Sequence, residues 1–302
     1  VAPVLDGLGQ KLAEKWMLAL AAPGLLFVGA TASAAVLGQA RALDWPVLRE
    51  RVGHWAVEAG RWPTAGQLVA VAVIVLASVA VGMVVRASGE GAVRIWAGDW
   101  PGPARPLADR LTARRAERWN QIHEGIVRLR TAHPTRQREE PVRRHIHEET
   151  TRRDRIALAL PSRPTYTGDR LAATVVRLDH QYGIDLAACW PRLWLVLPDD
   201  VRAELRAVRT RFDAAVAGSV WAACYAVLGC FWWPAAVAAV VTGLVAWRRV
   251  RRTAAALADL VESAVDVHLR RLAEELSLTE MPGDPPDRRL GLAVTRIARK
   301  SA

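Results

Sequence analysis

Hydrophobic and polar positions along this chain fall into long blocks. Three stretches carry no charge: Trp16 to Ala40, Trp62 to Val85 and Ala214 to Trp247, of 25, 24 and 34 residues. A bilayer core about 30 Å thick takes about 20 apolar residues as a helix, so each of the first two predicts one spanning helix. The first has the Ala-rich segment Thr31 to Ala35 that mimics a signal-peptidase site. It is longer than a signal core and holds Pro23-Gly24 in its interior, so it is read as a retained helix. The third stretch would be about 51 Å long as one straight helix, too long for a single crossing. Near its middle lies Gly229-Cys230-Phe231-Trp232-Trp233-Pro234, a helix breaker beside aromatics that favour the headgroup layer. The pattern predicts two short helices in a tight hairpin, or a re-entrant pair.

Charge then orients the blocks. Lys11 and Lys15 precede the first stretch, a basic region opens at Arg86, and Arg248, Arg249, Arg251 and Arg252 close the third. Basic flanks prefer the cytoplasmic side, and all three lie inside only if an even number of crossings separates them. The expected fold is an all-α integral membrane protein of the plasma membrane. It has four short transmembrane helices, a helical cytoplasmic domain between the second and third, and both termini cytoplasmic. The divisions are an N-terminal transmembrane hairpin over 1–86, a basic and mainly helical cytoplasmic domain over 87–213, a transmembrane or re-entrant hairpin over 214–247, and a cytoplasmic amphipathic helix and tail over 248–302. The connector Arg41 to Arg61 then lies outside, with Trp45 and Trp55 suited to a surface-lying segment.

The region from Arg86 to Asp213 holds 24 arginines against 17 acidic residues. After a Gly/Pro-rich link around Gly98 to Pro106 comes a polar helical run through Arg110 to Arg130. The highly charged piece from His133 to Arg155 is expected to be loosely ordered. Leu171, Val175 and Leu178 then fall at helical spacing over Gly168 to Tyr182, with Asp169 at the start and Gly183 as the stop. Ile184 to Leu197 holds the densest apolar and aromatic cluster, and Pro198-Asp199-Asp200 restarts a helix. Beyond the basic block, Leu257, Val261, Ala264, Val265, His268, Leu272 and Leu276 form an apolar seam suited to packing on the chain's own cytoplasmic domain, the favoured reading, or on the equivalent helix of another copy. Residues after Met281-Pro282-Gly283 read as a polar tail.

The net charge of +11 raises the question of nucleic acid. The arginines cluster beside the apolar stretches, however, where anionic lipids account for them, so a nucleic-acid partner is disfavoured. Thirteen tryptophans against three tyrosines and three phenylalanines place many indoles near stretch ends, at Trp16, Trp62, Trp221 and Trp247. Trp190 and Trp194 fall outside that account and are expected to pack in the soluble part. Cys189, Cys224 and Cys230 have no paired spacing and imply neither a disulfide framework nor a metal site.

Candidate chemistry is sparse. His145, His147, Glu148 and Glu149 lack metal-site spacing and read as a solvated helix face. Asp179, His180 and Asp185 surround a helix end with no nucleophile nearby, and capping explains them more simply. No catalytic residue, cofactor or metal ligand is expected. Trp190-Pro191-Arg192-Leu193-Trp194 has the most specific pattern: Pro191 interrupts helical bonding, and Arg192 sits between two indoles that could sandwich it. Its readings are a structural elbow or a lipid or partner contact in which Arg192 reaches a phosphate. Trp232, Trp233 and Pro234 at the hairpin and Arg248, Arg249, Arg251 and Arg252 beyond it complete the expected structural, lipid or partner contacts.

Pro164-Thr165-Tyr166-Thr167-Gly168-Asp169-Arg170, Tyr182-Gly183-Ile184-Asp185 and Trp190-Pro191-Arg192-Leu193 resemble segments of uncharacterised bacterial membrane proteins, mainly actinobacterial. The resemblance spans roughly Pro161 to Leu276 and implies a recurring module without implying an activity. The apolar stretches hold no acidic or basic residue, which argues against a transporter with a carboxylate proton relay. The expected function is an oligomeric channel or pore-like protein, a homo-oligomer with a basic cytoplasmic collar that could conduct ions. The alternative is a membrane-anchored interaction module whose basic domain recruits a cytoplasmic protein partner, and a lipid-acting membrane enzyme is third.

Overall fold

The computed structural model describes residues 22–132, 140–278 and 287–300. Lys11, Lys15, Trp16 and Met281-Pro282-Gly283 lie outside the described residues. All regular structure among those described is helical: α1 (Ala22–Leu37), α2 (Trp45–Gly60), α3 (Thr64–Ala87), α4 (Gly89–Ala97), α5 (Arg105–Ala132), α6 (Glu140–Asp154), α7 (Tyr166–Tyr182), α8 (Leu186–Val196), α9 (Asp199–Gly229), α10 (Trp233–Glu275) and α11 (Arg288–Arg299). A short 3₁₀ turn, Gly102–Ala104, leads into α5. The helices form two compact units. One comprises the described residues of Val1–Ala92 with Val216–Trp247, and the other Val93–Ala215 with the described residues of Arg248–Ala302.

Two helical stretches are long and apolar enough to cross a membrane: Asp199–Gly229, which is α9, and the run Thr64–Thr131, whose apolar part is α3. Helix α1 is apolar but shorter. On α3, Leu68, Val69, Val73, Leu76 and Val84 are all exposed, a surface that water would disfavour and lipid would accept. Small residues set the helix contacts. Gly24 lies so close to α3 that a Cβ would stand 2.2 Å from the Ser78 carbonyl oxygen, and Gly218 meets Ala246 between α9 and α10. Close backbone approach through small residues is how helices associate where lipid removes the hydrophobic driving force.

The 34-residue stretch breaks where its sequence predicts. Helix α9 ends at Gly229 and α10 begins at Trp233, with Pro234 in the first turn, where its missing N–H costs no helical bond. The turn is tight enough that a Cβ on Gly229 would lie 2.8 Å from Ala236. Its open backbone groups are met from the segment after α1. The Gln39 side-chain amide donates to the Cys230 carbonyl (2.9 Å) and accepts from the Trp233 N–H (3.0 Å), while the Trp232 indole donates to the Ala42 carbonyl (3.1 Å). One side chain thus serves both an orphan acceptor and an orphan donor at facing helix ends.

The second unit is built around α7. Thr165 caps it, accepting from the Gly168 N–H (3.0 Å) while its hydroxyl donates to the Trp96 carbonyl (2.6 Å). Gly168 is required by close approach, because a Cβ would lie 2.3 Å from the Ala97 carbonyl oxygen. Asp169, 7% exposed, accepts from the Ser162 and Arg163 N–H groups (both 2.8 Å) and pairs with Arg115 of α5 (2.6 Å). Arg170, equally buried, pairs with Asp259 of α10. Below it, Arg177 meets Glu262 (2.6 Å) and the Tyr182 hydroxyl donates to Asp266 (2.9 Å). Partner numbers rise together, so α7 and α10 run in the same direction here.

The core joins Leu178 and Tyr182 of α7, Cys189 and Leu193 of α8, Leu205 of α9, and Val265, Leu269 and Leu272 of α10. The apolar seam on α10 therefore packs within the chain. Val294 and Ala298 of α11 belong to the same cluster, which corrects the expectation of a polar tail. The tail reads as polar because arginines flank a narrow buried stripe, Gly291, Val294, Thr295 and Ala298, at spacings of three and four. A second correction concerns His133 to Arg155. Residues 133–139 lie outside those described, but Glu140–Asp154 is a regular helix, with Arg144 to Glu140 and Arg152 to Glu149 pairs one turn apart. Its Arg153 guanidinium lies over the Trp119 ring of α5 (5.4 Å to the centroid), so charge content here marks a helix surface.

The close approaches make a direct prediction. Gly168→Ala and Gly291→Ala, whose new Cβ atoms would meet the Ala97 and Tyr182 carbonyls, should each lower stability by about 1–3 kcal/mol. Gly125→Ala, in open space inside α5, should be neutral or stabilise by up to about 1 kcal/mol. Denaturant midpoints of the three purified variants check both directions together.

Candidate functional site: an apolar groove behind the Trp-Pro-Trp helix

Gly183 ends α7 in the left-handed conformation (φ +67°), which glycine adopts without strain. The chain then turns into α8, whose first turn is capped by Asp185 accepting from the Ala188 N–H (3.2 Å). This corner is held by α11. Arg288 donates to the Asp179 and His180 carbonyls (3.3 and 2.7 Å), closing the end of α7. Thr295 donates to the Gly183 carbonyl (3.2 Å) and accepts from the Asp185 N–H (3.0 Å), and Arg299 pairs with the Asp185 carboxylate (2.6 Å). Of Asp179, His180 and Asp185, grouped by sequence as a candidate acid-base set, Asp185 has its carboxylate committed to the cap and to Arg299, while Asp179 and His180 contribute main-chain carbonyls to the end of α7.

Helix α8 divides its side chains between two faces. Cys189 and Leu193 point into the core, and burial pushes the Cys189 thiol up from its ordinary pKa, leaving it a packed hydrophobe. Trp190 and Trp194, four residues apart, lie on the neighbouring face, partly buried at the edge of the core, with ring centroids 6.1 Å apart and planes tilted by 44°. Pro191 sits within the helix and supplies no N–H to the preceding turn.

The indoles face a groove of about 780 Å³. Leu171, Thr174 and Val175 of α7 form one wall, and Leu186, Ala187, Trp190, Pro191 and Trp194 of α8 the next. Leu257, Ala258 and Val261 of α10 add a third. The fourth wall is α9, through Leu205, Arg206, Arg209 and Thr210. The lining is mainly apolar, with its guanidiniums confined to the α9 wall. Such concavity with few polar groups on one side is the usual form of a ligand site.

The expected Arg192 sandwich does not form. Its guanidinium donates back to the Ala188 carbonyl (3.1 Å), and the cation over Trp194 is Arg206, 5.5 Å from the ring centroid. The reason is helical geometry: a residue between positions i and i+4 projects away from the face those two share. Arg206 has no carboxylate partner among the described residues, whereas Arg209 bonds Asp213 (3.0 and 3.2 Å). Sequence reasoning missed both, because each reads as one more arginine in a basic helix.

The other expected contacts do not gather at this groove. Trp232 is part-buried beside Leu228 and Ala235, Trp233 is exposed, and Pro234 opens α10. Arg248, Arg249 and Arg252 are exposed, but Arg251 is drawn in. Its guanidinium lies 3.7 Å from the Tyr166 ring centroid and donates to the Arg155 carbonyl (3.1 Å). His145, His147, Glu148 and Glu149 all lie on α6, away from the groove lining.

Two titrating groups mark the corner's electrostatics. Tyr182 is pushed up to about 12, first by burial and then by its hydrogen bond to Asp266, so it remains a donor throughout the physiological range. Asp185 is held below its ordinary value of 3.8, first by the hydrogen bond from Arg299 and next by the Ala188 N–H. Because its folded pKa is depressed, its contribution is fully present above the ordinary value and drains away as pH falls below about 4. Hydrogen exchange across a pH series should show α11 losing protection below about pH 4, and Asp185→Asn, which keeps the cap but not the charge, should flatten that loss. An unchanged pH profile in the variant would exclude this pair as the cause. No family model, curated protein or solved structure matches this chain, so the chemistry assigned to the groove is read from its own residues.

Proposed function

We propose that this chain is a multi-pass membrane protein whose helical unit, Val93–Ala215 with Arg248–Ala302, is a cytoplasmic binding module. The groove of about 780 Å³ with a cationic wall carries this reading, because an apolar concavity of that size left open to water is costly unless something occupies it. The membrane anchor is four crossings: the apolar stretches ending at Ala40 and Val85, then the two arms of the hairpin that turns at Gly229 to Trp233. The arms are short and depend on interfacial Trp232 and Trp233 and on Arg248, Arg249 and Arg252 to seat their ends in the headgroup layer, where anionic lipids favour the arginines. The module's two parts then follow the second and the fourth crossings, on the same side as both termini.

An oligomeric conduit is the second reading. The observation favouring it is α3, apolar and exposed along its length, which offers surface for a second copy. Four short helices would have to surround a shared axis to conduct ions.

Sidedness reporters at Arg51 and after the C-terminus should lie on opposite sides of the membrane; reporters on the same side would refute four crossings. Native mass spectrometry of the full chain released from membranes tests the module itself. The wild type should retain a bound species of defined mass that Val175→Trp, which fills the groove, does not. Absence of any bound species from both would overturn the binding reading. The same spectra separate a monomer from the defined ring that a conduit requires.

A further inference from the structure

The charges around the groove are one-sided, and this identifies what it would hold. Leu171, Val175 and Val261 offer contacts to an apolar chain and no hydrogen bonds, Trp190 adds a mainly apolar ring with a single N–H and no charge, and Thr174, another lining residue, is itself buried. The guanidiniums, Arg206 and Arg209, stand three residues apart on α9, hence on one side of that helix. Asp213 neutralises Arg209, while Arg206 rests against the Trp194 face with no carboxylate partner among the described residues. An indole supports a guanidinium without neutralising it, so Arg206 retains the capacity to pair with an incoming anion.

We propose that the groove binds one acyl chain of an anionic amphiphile, with its carboxylate or phosphate head held by Arg206. This rests on the binding-module reading above and gives the ligand its chemical class. A volume of about 780 Å³ lies within the usual span for small-molecule sites, about 300–1,000 Å³. A single negative head against the α9 wall and an apolar remainder along α7, α8 and α10 match the distribution of polar groups. An amphipathic peptide helix fits less well, since it presents a long polar edge and would need partners on a wall where Leu171 and Val175 offer none.

The test uses the full chain in nanodiscs of phosphatidylcholine. The probes are a diazirine-bearing palmitate, the corresponding palmityl alcohol, and a diazirine-bearing phosphatidylglycerol built into the disc, with labelled peptides identified by mass spectrometry. Palmitate or phosphatidylglycerol should label the segments around Leu171 to Val175 and Leu257 to Val261. Arg206→Gln should reduce that labelling about tenfold without moving the thermal midpoint, and should leave labelling by the alcohol unchanged. Val175→Trp should block every probe. Labelling by phosphatidylglycerol alone identifies a bilayer lipid as the source, and labelling by palmitate alone a free fatty acid; either supports the proposal. Labelling by the alcohol as strong as that by the acid or the phosphatidylglycerol, insensitivity to Arg206→Gln, or no label in the groove would overturn it. If the native spectra still show a species displaced by Val175→Trp while no probe labels the groove, the binding module stands and the amphiphile assignment falls.

Discussion

A carboxylate removed from water has to be resolvated by the protein around it, and Asp169 is where this chain meets that demand. Its oxygens take two backbone N–H groups from the Ser162-Arg163 loop and the Arg115 guanidinium, which itself reaches the Ile156 and Arg163 carbonyls. These contacts gather α5, the segment after α6 and the first turn of α7 at one point. Breaking such a pair on one side leaves a buried charge without a partner, at a cost of about 3–5 kcal/mol. Everything further along α7 inherits its position from this anchor: the Arg170, Arg177 and Tyr182 contacts to α10, the Gly183 corner and the groove wall at Leu171 to Val175.

The groove results from two demands on α8. Cys189 and Leu193 must enter the core, which turns Trp190 and Trp194 to the neighbouring face at its edge. Pro191 accompanies the indoles and denies the helix one of its bonds. Helix α11 stabilises the arrangement from behind through Thr295 and Arg299, so the terminal helix supports a site it does not line.

Features set by neighbouring residues are legible in the sequence. The helix starting near Asp169 and stopping at Gly183, the restart at Pro198-Asp199 and the break around Trp233-Pro234 each follow from capping, proline or left-handed glycine within a few residues. Long-range partners are not legible in the same way. Nothing local tells that Arg206 rather than Arg192 meets Trp194, because that depends on where α9 lies against α8. The same holds for α11, whose buried stripe acquires its meaning only once Tyr182 and Gly183 supply the surface it meets. The Thr165 to Arg170 segment, distinctive in sequence, owes its pattern to packing. Its residues cap α7, admit the Ala97 carbonyl and pair with Arg115 and Asp259.

The Gln39 clamp has a consequence for how the chain is made. The residue that completes the turn between α9 and α10 precedes its Cys230 partner by 191 positions. At about 5–20 residues per second, Gln39 leaves the ribosome about 10–40 s before the turn it closes. The segment after α1 is therefore already made when the α9–α10 turn emerges, so Gln39 can satisfy the open groups of that turn as soon as it forms.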